Sequence, residues 1–381
     1  MGISGLLRAL KTVMERKHLQ DLSGQSAAVD ALGWLHRGTY CCSTEICVNA
    51  DWSKCISYCM KRVEMLRHFG VKPIMVFDGD NLPMKKDTEN ARQQSRKEAL
   101  ARGYKLYQEG RGAEAQQEFI KAVDVTPAMI RSLIDRLEAS GVDFVVAPYE
   151  ADAQLAYLQR QGKADFVISE DSDCIAFGCD RVLFKLDNEG SGDYFDRKAL
   201  GTNKQLAMKT FTHDMVLDMC ILAGCDYLDS LPGMGIVRAH KLVHQYRKTE
   251  RILRGLRFNG KTSVPKNYEA RFIRARLTFC HQLVHPYTPG VKNGLVPLNA
   301  VDADAVAKLL PLEDRILHFA GPQIDDTVAH HIARGKINAI TKIPFADEPA
   351  PRPLIKAIES ATLAMPSKVS APGPMDRFLS R

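Results

Sequence analysis

Nowhere in the 381 residues does an apolar run reach the roughly 18 positions that cross a bilayer, so no membrane span is expected. The opening Met1-Gly2-Ile3-Ser4-Gly5-Leu6 lacks the apolar core of a signal peptide, and Leu6 stands where a myristoylation signal wants Ser or Thr. The ten cysteines offer no CxxC pair; their close spacings include Cys41-Cys42, Cys55-x3-Cys59 and Cys220-x4-Cys225. Neither structural zinc nor a disulfide framework is expected, and the thiols read as reduced and mostly buried. There is no internal repeat, and 26 Gly and 18 Pro are too few for a collagen-like or low-complexity chain. What is present is ordinary for a globular protein: 45% hydrophobic and 25% charged residues, enough for one large α/β domain or two modest ones. The net charge of +7 permits a polyanionic partner without demanding one.

Four short β-branched runs stand out, Ser26–Val29, Lys72–Phe77, Val142–Val146 and Asp165–Ile168, with Val182–Leu186 as a fifth. Helical periodicity fills the intervals, as in Lys54–Phe69 and Thr126–Ser140. Alternation of this kind predicts an α/β fold with a mainly parallel central sheet flanked by helices. From about Thr210 to Thr288 the pattern is helical, which reads as a second lobe packed on the sheet. Seven of the 18 prolines fall between Pro344 and Pro374, so residues 346–381 read as an extended, flexible tail.

Each of the four main runs ends in acid. Asp30 follows the first, Asp78 the second, Glu150 and Asp152 lie just past the third, and Asp171 and Asp173 past the fourth. In open parallel sheets ligands bind at the C-terminal edge. If the four strands are neighbours, six carboxylates share one crevice and cannot all stay ionised alone. Divalent cations resolve the repulsion, and hard oxygen ligands select Mg²⁺ or Mn²⁺. Two ions about 4 Å apart would activate a water and stabilise the leaving oxygen of a phosphodiester. Taken singly, an acid after a strand is as well explained as a helix N-cap, and Asp171-Ser172-Asp173 as an Asx-turn. The shared pattern carries the reading.

Two cationic features accompany the acids. Between Pro83 and Gly110, Lys85, Arg92 and Arg96 fall within about 20° of one helical azimuth, a basic stripe placed to lean over the crevice. A solvated face with local pairs such as Glu89–Arg92 is the competing reading. Further on, Gly233-Met234-Gly235 lies between helical patterns at Asp214–Leu222 and Val237–Tyr246. Two glycines ahead of a helix N-terminus suit phosphate contact without base readout, although a plain helix–helix turn has the same look. Lys204, Lys209, Arg238, Lys241, Arg247 and Lys248 surround it, and Asp226 just before it is a seventh acid for the crevice.

The opening Met1–Leu7, Val76-Phe77-Asp78-Gly79, Ala147–Gln154, Glu170-Asp171-Ser172-Asp173 and Gly224-Cys225-Asp226-Tyr227 resemble the flap-endonuclease superfamily of 5′ nucleases. Trp34-Leu35-His36, Ala176–Cys179, Met219–Leu222, Phe272–Ala275 and Val296–Asn299 narrow the likeness to its eukaryotic exonuclease members. The resemblance implies a structure-specific 5′→3′ double-stranded DNA exonuclease with 5′-flap endonuclease activity, a monomer working in nuclear DNA repair (mismatch repair, end resection). It implies a nuclease domain over 1–345: an N-terminal region (1–100), a helical arch (80–130), an internal region (131–206), a helix–two-turn–helix lobe (207–290) and a return segment (291–345). It implies two Mg²⁺, replaceable by Mn²⁺, held among Asp30, Asp78, Glu150, Asp152, Asp171, Asp173 and Asp226. Lys85 and Arg92 on the arch would contact the scissile phosphate. Gly2, His36, Arg96, Lys185, Gly233, Gly235 and Arg238 would join them on DNA carrying nicks, 5′-recessed ends or 5′ flaps. A K⁺ would sit at the hairpin near Ser230 and Met234. Leu32 and Ala223 depart from the Tyr and Ser common in relatives at those places, and little of their long C-terminal extension is expected here. Pro374–Leu379 is a candidate docking peptide for mismatch-repair proteins. Two other readings use the same residues. A phosphotransferase would use Asp78-x-Asp80 after a strand but lacks the usual Thr or Val next and leaves the other acids unexplained. A non-catalytic DNA-binding relative would not need all seven.

Overall fold

The computed structural model describes residues 2–258, 263–286, 294–310, 314 and 317–356. Strands β1 (Met14–His18), β2 (Ser26–Asp30), β3 (Lys72–Phe77), β4 (Asp143–Val146), β5 (Phe166–Ile168), β6 (Arg181–Phe184) and β7 (Ser191–Asp196) form one sheet in the order β1-β7-β6-β5-β2-β3-β4. The five strands from β6 to β4 run parallel, and β7 pairs antiparallel with both β6 and β1. The four acid-terminated strands are therefore adjacent. The two antiparallel strands were not foreseen, because Met-Glu-Arg-Lys-His and Ser-Gly-Asp-Tyr-Phe-Asp carry too much polar character to read as strands alone.

Period-2 alternation sends the central strands' side chains to two cores. Ala28, Ile74, Val76, Val145 and Val167 enter one, and Ala27, Val29, Met75, Phe77, Val146 and Phe166 enter the other. Helices α1 (Leu6–Ala9), α2 (Ala31–Thr39), α3 (Ser43–Asn49) and α4 (Ser53–His68) precede β3, and α2 to α4 cover the second core. After β3 comes the arch, α5 (Lys86–Gln108) and α6 (Gly112–Ala122), an antiparallel hairpin in which Gly103 lets Phe119 pack close. Helix α7 (Pro127–Ala139) starts with Thr126 accepting the Met129 N–H and Pro127 at its first position, a standard N-terminal stop. Helices α8 (Ala151–Arg160) and α9 (Asp173–Phe177) begin at the acid edge of the sheet.

The helical stretch contains α10 (His213–Ala223), α11 (Ile236–Tyr246), α12 (Thr249–Phe258) and α13 (Tyr268–His281), followed by α14 (Ala303–Leu309) and α15 (Asp326–Ala333). It packs on the sheet, as expected of the second lobe. Leu217, Met219, Ile221, Val243 and Phe272 sit in the same cluster as Val76 and Val167 of the sheet. The tail expectation needs a correction: Leu354 packs on the second core and Ile355 is buried in it, because two aliphatic side chains among the prolines find apolar surface to cover. Residues 357–381, with the candidate docking peptide at 374–379, lie outside the described residues. Among the described residues no helix is long and apolar enough to cross a membrane.

Candidate active site

The acids reach the crevice by separate local devices. Asp30 ends β2 and caps α2 by accepting the Gly33 N–H at 3.0 Å, while Ser169 Oγ donates to its other oxygen at 3.0 Å. Cap and site coincide in this residue. Asp78 Oδ1 accepts the N–H of Ala151 at 2.6 Å, which ties the end of β3 to the start of α8, where Glu150 and Asp152 stand. The Asx-turn at Asp171 is also real, since Asp173 N–H donates to Asp171 Oδ1 at 2.9 Å. Ser172 Oγ accepts the Ile3 N–H at 2.8 Å and draws the chain's first residues under this turn. Gly2 there has φ +77°, and a Cβ on it would overlap the Asp171 carboxylate and Ser172 Oγ. Asp226 arrives from the opposite side, between Cys225 and Leu228, whose backbones bridge.

Burial first, and repulsion between neighbours behind it, disfavours the charged form of several of these acids. Burial, then the charge of Asp30, pushes Asp78 up to about 7. Burial, then Asp171, holds Asp152 and Asp173 well above the ordinary carboxylate range. Burial likewise raises Asp30 and Asp171. Asp226 goes the other way: burial pushes it up, but Lys85 and then Arg92 outweigh that and leave it low. The Lys85 ammonium pairs with Glu150 Oε1 and lies 3.1 Å from Asp226 Oδ2. These attractions outweigh its burial and keep it charged.

No three of the His, Cys, Asp and Glu side chains among the described residues form a ready ligand set. The acids share one field, yet many of their oxygens are engaged by backbone N–H groups, Ser169, Lys85 and Arg92. The fit of a cation is nonetheless good on chemical grounds. All candidate donors are hard carboxylate oxygens, several are disfavoured as bare anions, and Asp173 Oδ1 is buried without a hydrogen-bond partner. The crevice is also distinct from a cavity of about 330 Å³ at Ala50–Met60, Ser132 and Arg136, which contains none of these acids.

The cations divide. Arg92 Nη2 lies 3.1 Å from Asp226 Oδ2 and joins Lys85 there. Arg96, on the same helix, pairs instead with Glu89 at 2.8 Å and Asp124 at 2.7 Å. The local Glu89–Arg92 pair exists too, at 4.0 Å. His36 on α2 stands 3.9 Å from Asp124, next to Arg96. Lys185 follows β6 at the same sheet edge, exposed, with φ +52° and a 3.6 Å pairing to Asp193. Gly233, with φ +71°, and Gly235, which begins α11, are exposed, and the Gly233 carbonyl accepts from Arg238 at 3.4 Å. Ser230 is exposed and the Met234 side chain is buried. Asp80, the second acid of the phosphotransferase rival, is 2.8 Å from Lys342.

Sequence reasoning passed over three partners of the acids. Ser169 bridges Asp30 and Asp171, whose N–H it accepts at 3.0 Å. The Tyr227 hydroxyl donates to Glu150 Oε2, and Gln282 Nε2 donates to the same oxygen at 2.8 Å. Tyr227 stands in a motif already noted, beside Asp226; Gln282 carries no local signal.

With this geometry in view, the similarities are specific. Residues 1–99 match the XPG N-terminal domain and 141–226 the XPG I-region. The chain is 33% identical over 304 residues to the DNA damage-inducible protein DIN7 of Saccharomyces cerevisiae, covering 79% of this chain and 70% of that one. The chain belongs to the XPG, or flap-endonuclease, family. Within it, the likeness extends to exonuclease 1 of Arabidopsis thaliana, 44% identical over 351 residues, covering 91% of this chain and 46% of the relative. The chain thus spans about half the length of that relative. The fold matches the catalytic core of Rad2 in complex with DNA substrate with a TM-score of 0.55 and 18% identity, covering 87% of this chain and 98% of that one.

Proposed function

We propose that this chain is a structure-specific 5′→3′ exonuclease acting on double-stranded DNA with nicks or 5′-recessed ends, with 5′-flap endonuclease activity, in nuclear DNA repair including mismatch repair and end resection. The observation that carries the reading is the meeting of buried and half-buried acids from four adjacent strand ends with Lys85 and Arg92 of the arch. Likeness to exonuclease 1 supports it, and the fold is that of the catalytic core of Rad2 solved in complex with DNA substrate.

Asp30, Asp78, Glu150, Asp152, Asp171, Asp173 and Asp226 would hold two Mg²⁺ ions, or Mn²⁺ in their place. Bound there, the ions supply an activated water and charge stabilisation at the leaving oxygen. The chain's own residues do the rest. Lys85 and Arg92, which pair with carboxylates in the structure, transfer to the scissile phosphate and offset its charge. Exposed Gly233 and Gly235 let the duplex backbone approach the start of α11, beside Arg238, and Ser230 with the Met234 carbonyl would take a K⁺ there. His36 and Arg96 at the base of the arch, Lys185 at the sheet edge and Gly2 beneath Asp171 complete the DNA contacts. A paired terminus must fray before its phosphate reaches buried acids. The nuclease domain comprises 1–345 with the arch at 80–130 and the helix–two-turn–helix segment at 207–290, and the molecule acts as a monomer.

Matched nicked, 5′-recessed and 5′-flapped duplexes incubated with Mg²⁺ test the reading. Mononucleotides and short fragments released from the 5′ end, stopped by chelator, are the expected products. No 5′ release on any of the three would overturn it.

A further inference from the structure

The two oxygens of Glu150 are held in different ways. Its Oε2 accepts from the Tyr227 hydroxyl and from Gln282 Nε2 at 2.8 Å. Its Oε1 receives the Lys85 ammonium. Gln282 has no solvent exposure and uses both ends of its amide on one residue, since Gln282 Oε1 also accepts the Glu150 backbone N–H at 3.3 Å. Its own backbone is fixed: its N–H donates to the Thr278 carbonyl at 3.2 Å, and its carbonyl accepts from Leu298 N–H at 2.8 Å. A second glutamine repeats the stitch one turn into α8. Gln154 Nε2 donates to the His285 carbonyl at 2.9 Å, and His285 N–H donates to Gln154 Oε1 at 2.8 Å. Residues 282–285 are thus sewn to 150–154, with Asp152 between the two seams.

We propose that Gln282, assisted by Tyr227, is the positioning residue that fixes Glu150 through Oε2 and presents Oε1 to a divalent cation. The claim rests on the reading of Glu150 as a metal ligand. An amide suits the task because it donates to the carboxylate and accepts from the backbone N–H with no charge of its own. A carboxylate there would repel Glu150, and a lysine would add a second ammonium beside Lys85. The oxygen left for a cation is the one that already meets a positive charge, in Lys85. A divalent ion held by Glu150 would compete with Lys85 for that oxygen and leave the ammonium available to the phosphate.

Gln282→Met keeps the length of the side chain and removes its three hydrogen bonds, two to Glu150 and one to the Tyr227 hydroxyl. Calorimetric titration of the DNA-free protein with Mn²⁺ should show affinity reduced about tenfold or more, the usual scale for losing a partner of a metal ligand. Half-saturating Mg²⁺ for DNA cleavage should rise in step with the loss of Mn²⁺ affinity. Tyr227→Phe, which removes the other donor and preserves shape, should weaken Mn²⁺ binding in the same direction and decides the matter if Gln282→Met does not fold. A folded Gln282→Met protein with wild-type Mn²⁺ affinity would overturn the proposal, as would a uniform loss of turnover without movement of the metal midpoint. Wild-type protein that binds Mn²⁺ but cuts no DNA would sink the nuclease reading and leave the Gln282 result standing by itself.

Discussion

Lys85 shows how a single side chain links the arch to the sheet. It closes the short 3-10 turn Pro83–Lys85 ahead of α5 and reaches both Glu150 and Asp226. Lys85→Ala should lower turnover about 10²- to 10³-fold, the scale for one donor aimed at transition-state charge. Duplex affinity measured without divalent ions should change far less, and a proportional fall in both would contradict the assigned role. Asp173→Ala should abolish turnover while leaving a folded protein, since its Oδ1 has no hydrogen-bond partner to lose. Single-turnover assays at saturating enzyme measure it, and undiminished cleavage would exclude a metal role for that acid. At this scale the strand-end acids could be read before the structure, because Asp30 and Asp78 stand at the ends of strand-like runs and Glu150, Asp152, Asp171 and Asp173 lie a few residues past two more, whereas Asp226 follows a helix. Gln282 could not be read: its contact with Glu150 spans 132 residues, and a glutamine after a helix has no distinguishing pattern.

Among the elements, the arch is the most exposed to packing error. A Cβ on Gly103 would come within 2.7 Å of the fully buried Phe119 ring. Gly103→Ala gains at most about 1 kcal/mol in helix propensity. The overpacking against an aromatic ring with nowhere to go costs about 1–3 kcal/mol and should win. Amide exchange in 86–122 should accelerate, together with weaker cleavage of flapped DNA; slower exchange would show that propensity prevails. Helices α10, α12 and α13 meet at Asp218, which accepts from Thr249 at 2.6 Å and lies 3.4 Å from Arg276. Burial, against the pull of Arg276, pushes this acid up to about 6 from 3.8. A folded pKa above the unfolded one stabilises fully below the unfolded value and loses that contribution as pH climbs through the folded value. Relative to Asp218→Asn, wild-type stability should therefore fall between about pH 4 and 6.5, by up to about 3 kcal/mol. Denaturant titrations of both proteins across that range check it, and parallel curves would refute it. The parallel strands followed from alternation of strand and helix, while their order came only with the structure. The antiparallel β1 and β7 escaped because their pairing, and not their hydrophobicity, makes them strands.

For the whole molecule, the boundary of the folded body lies further along the chain than proline content implied. Ile355 is buried with Phe77, Leu133 and Ile332 in the second core, and Leu354 packs beside it. Ending the chain after Ala346 should remove about 1.5–3 kcal/mol of apolar burial and lower the melting temperature by a few degrees. An unchanged melting curve would restore the tail to the flexible class. The seams at Gln282 and Gln154 have a parallel bearing on dissection. A fragment ending at residue 226 would contain all seven acids and both matched segments, yet its α8 would start without a splint. Such a piece should hold the ligands in sequence and fail to assemble them in space, so a minimal catalytic unit has to be cut by contact map and not by motif.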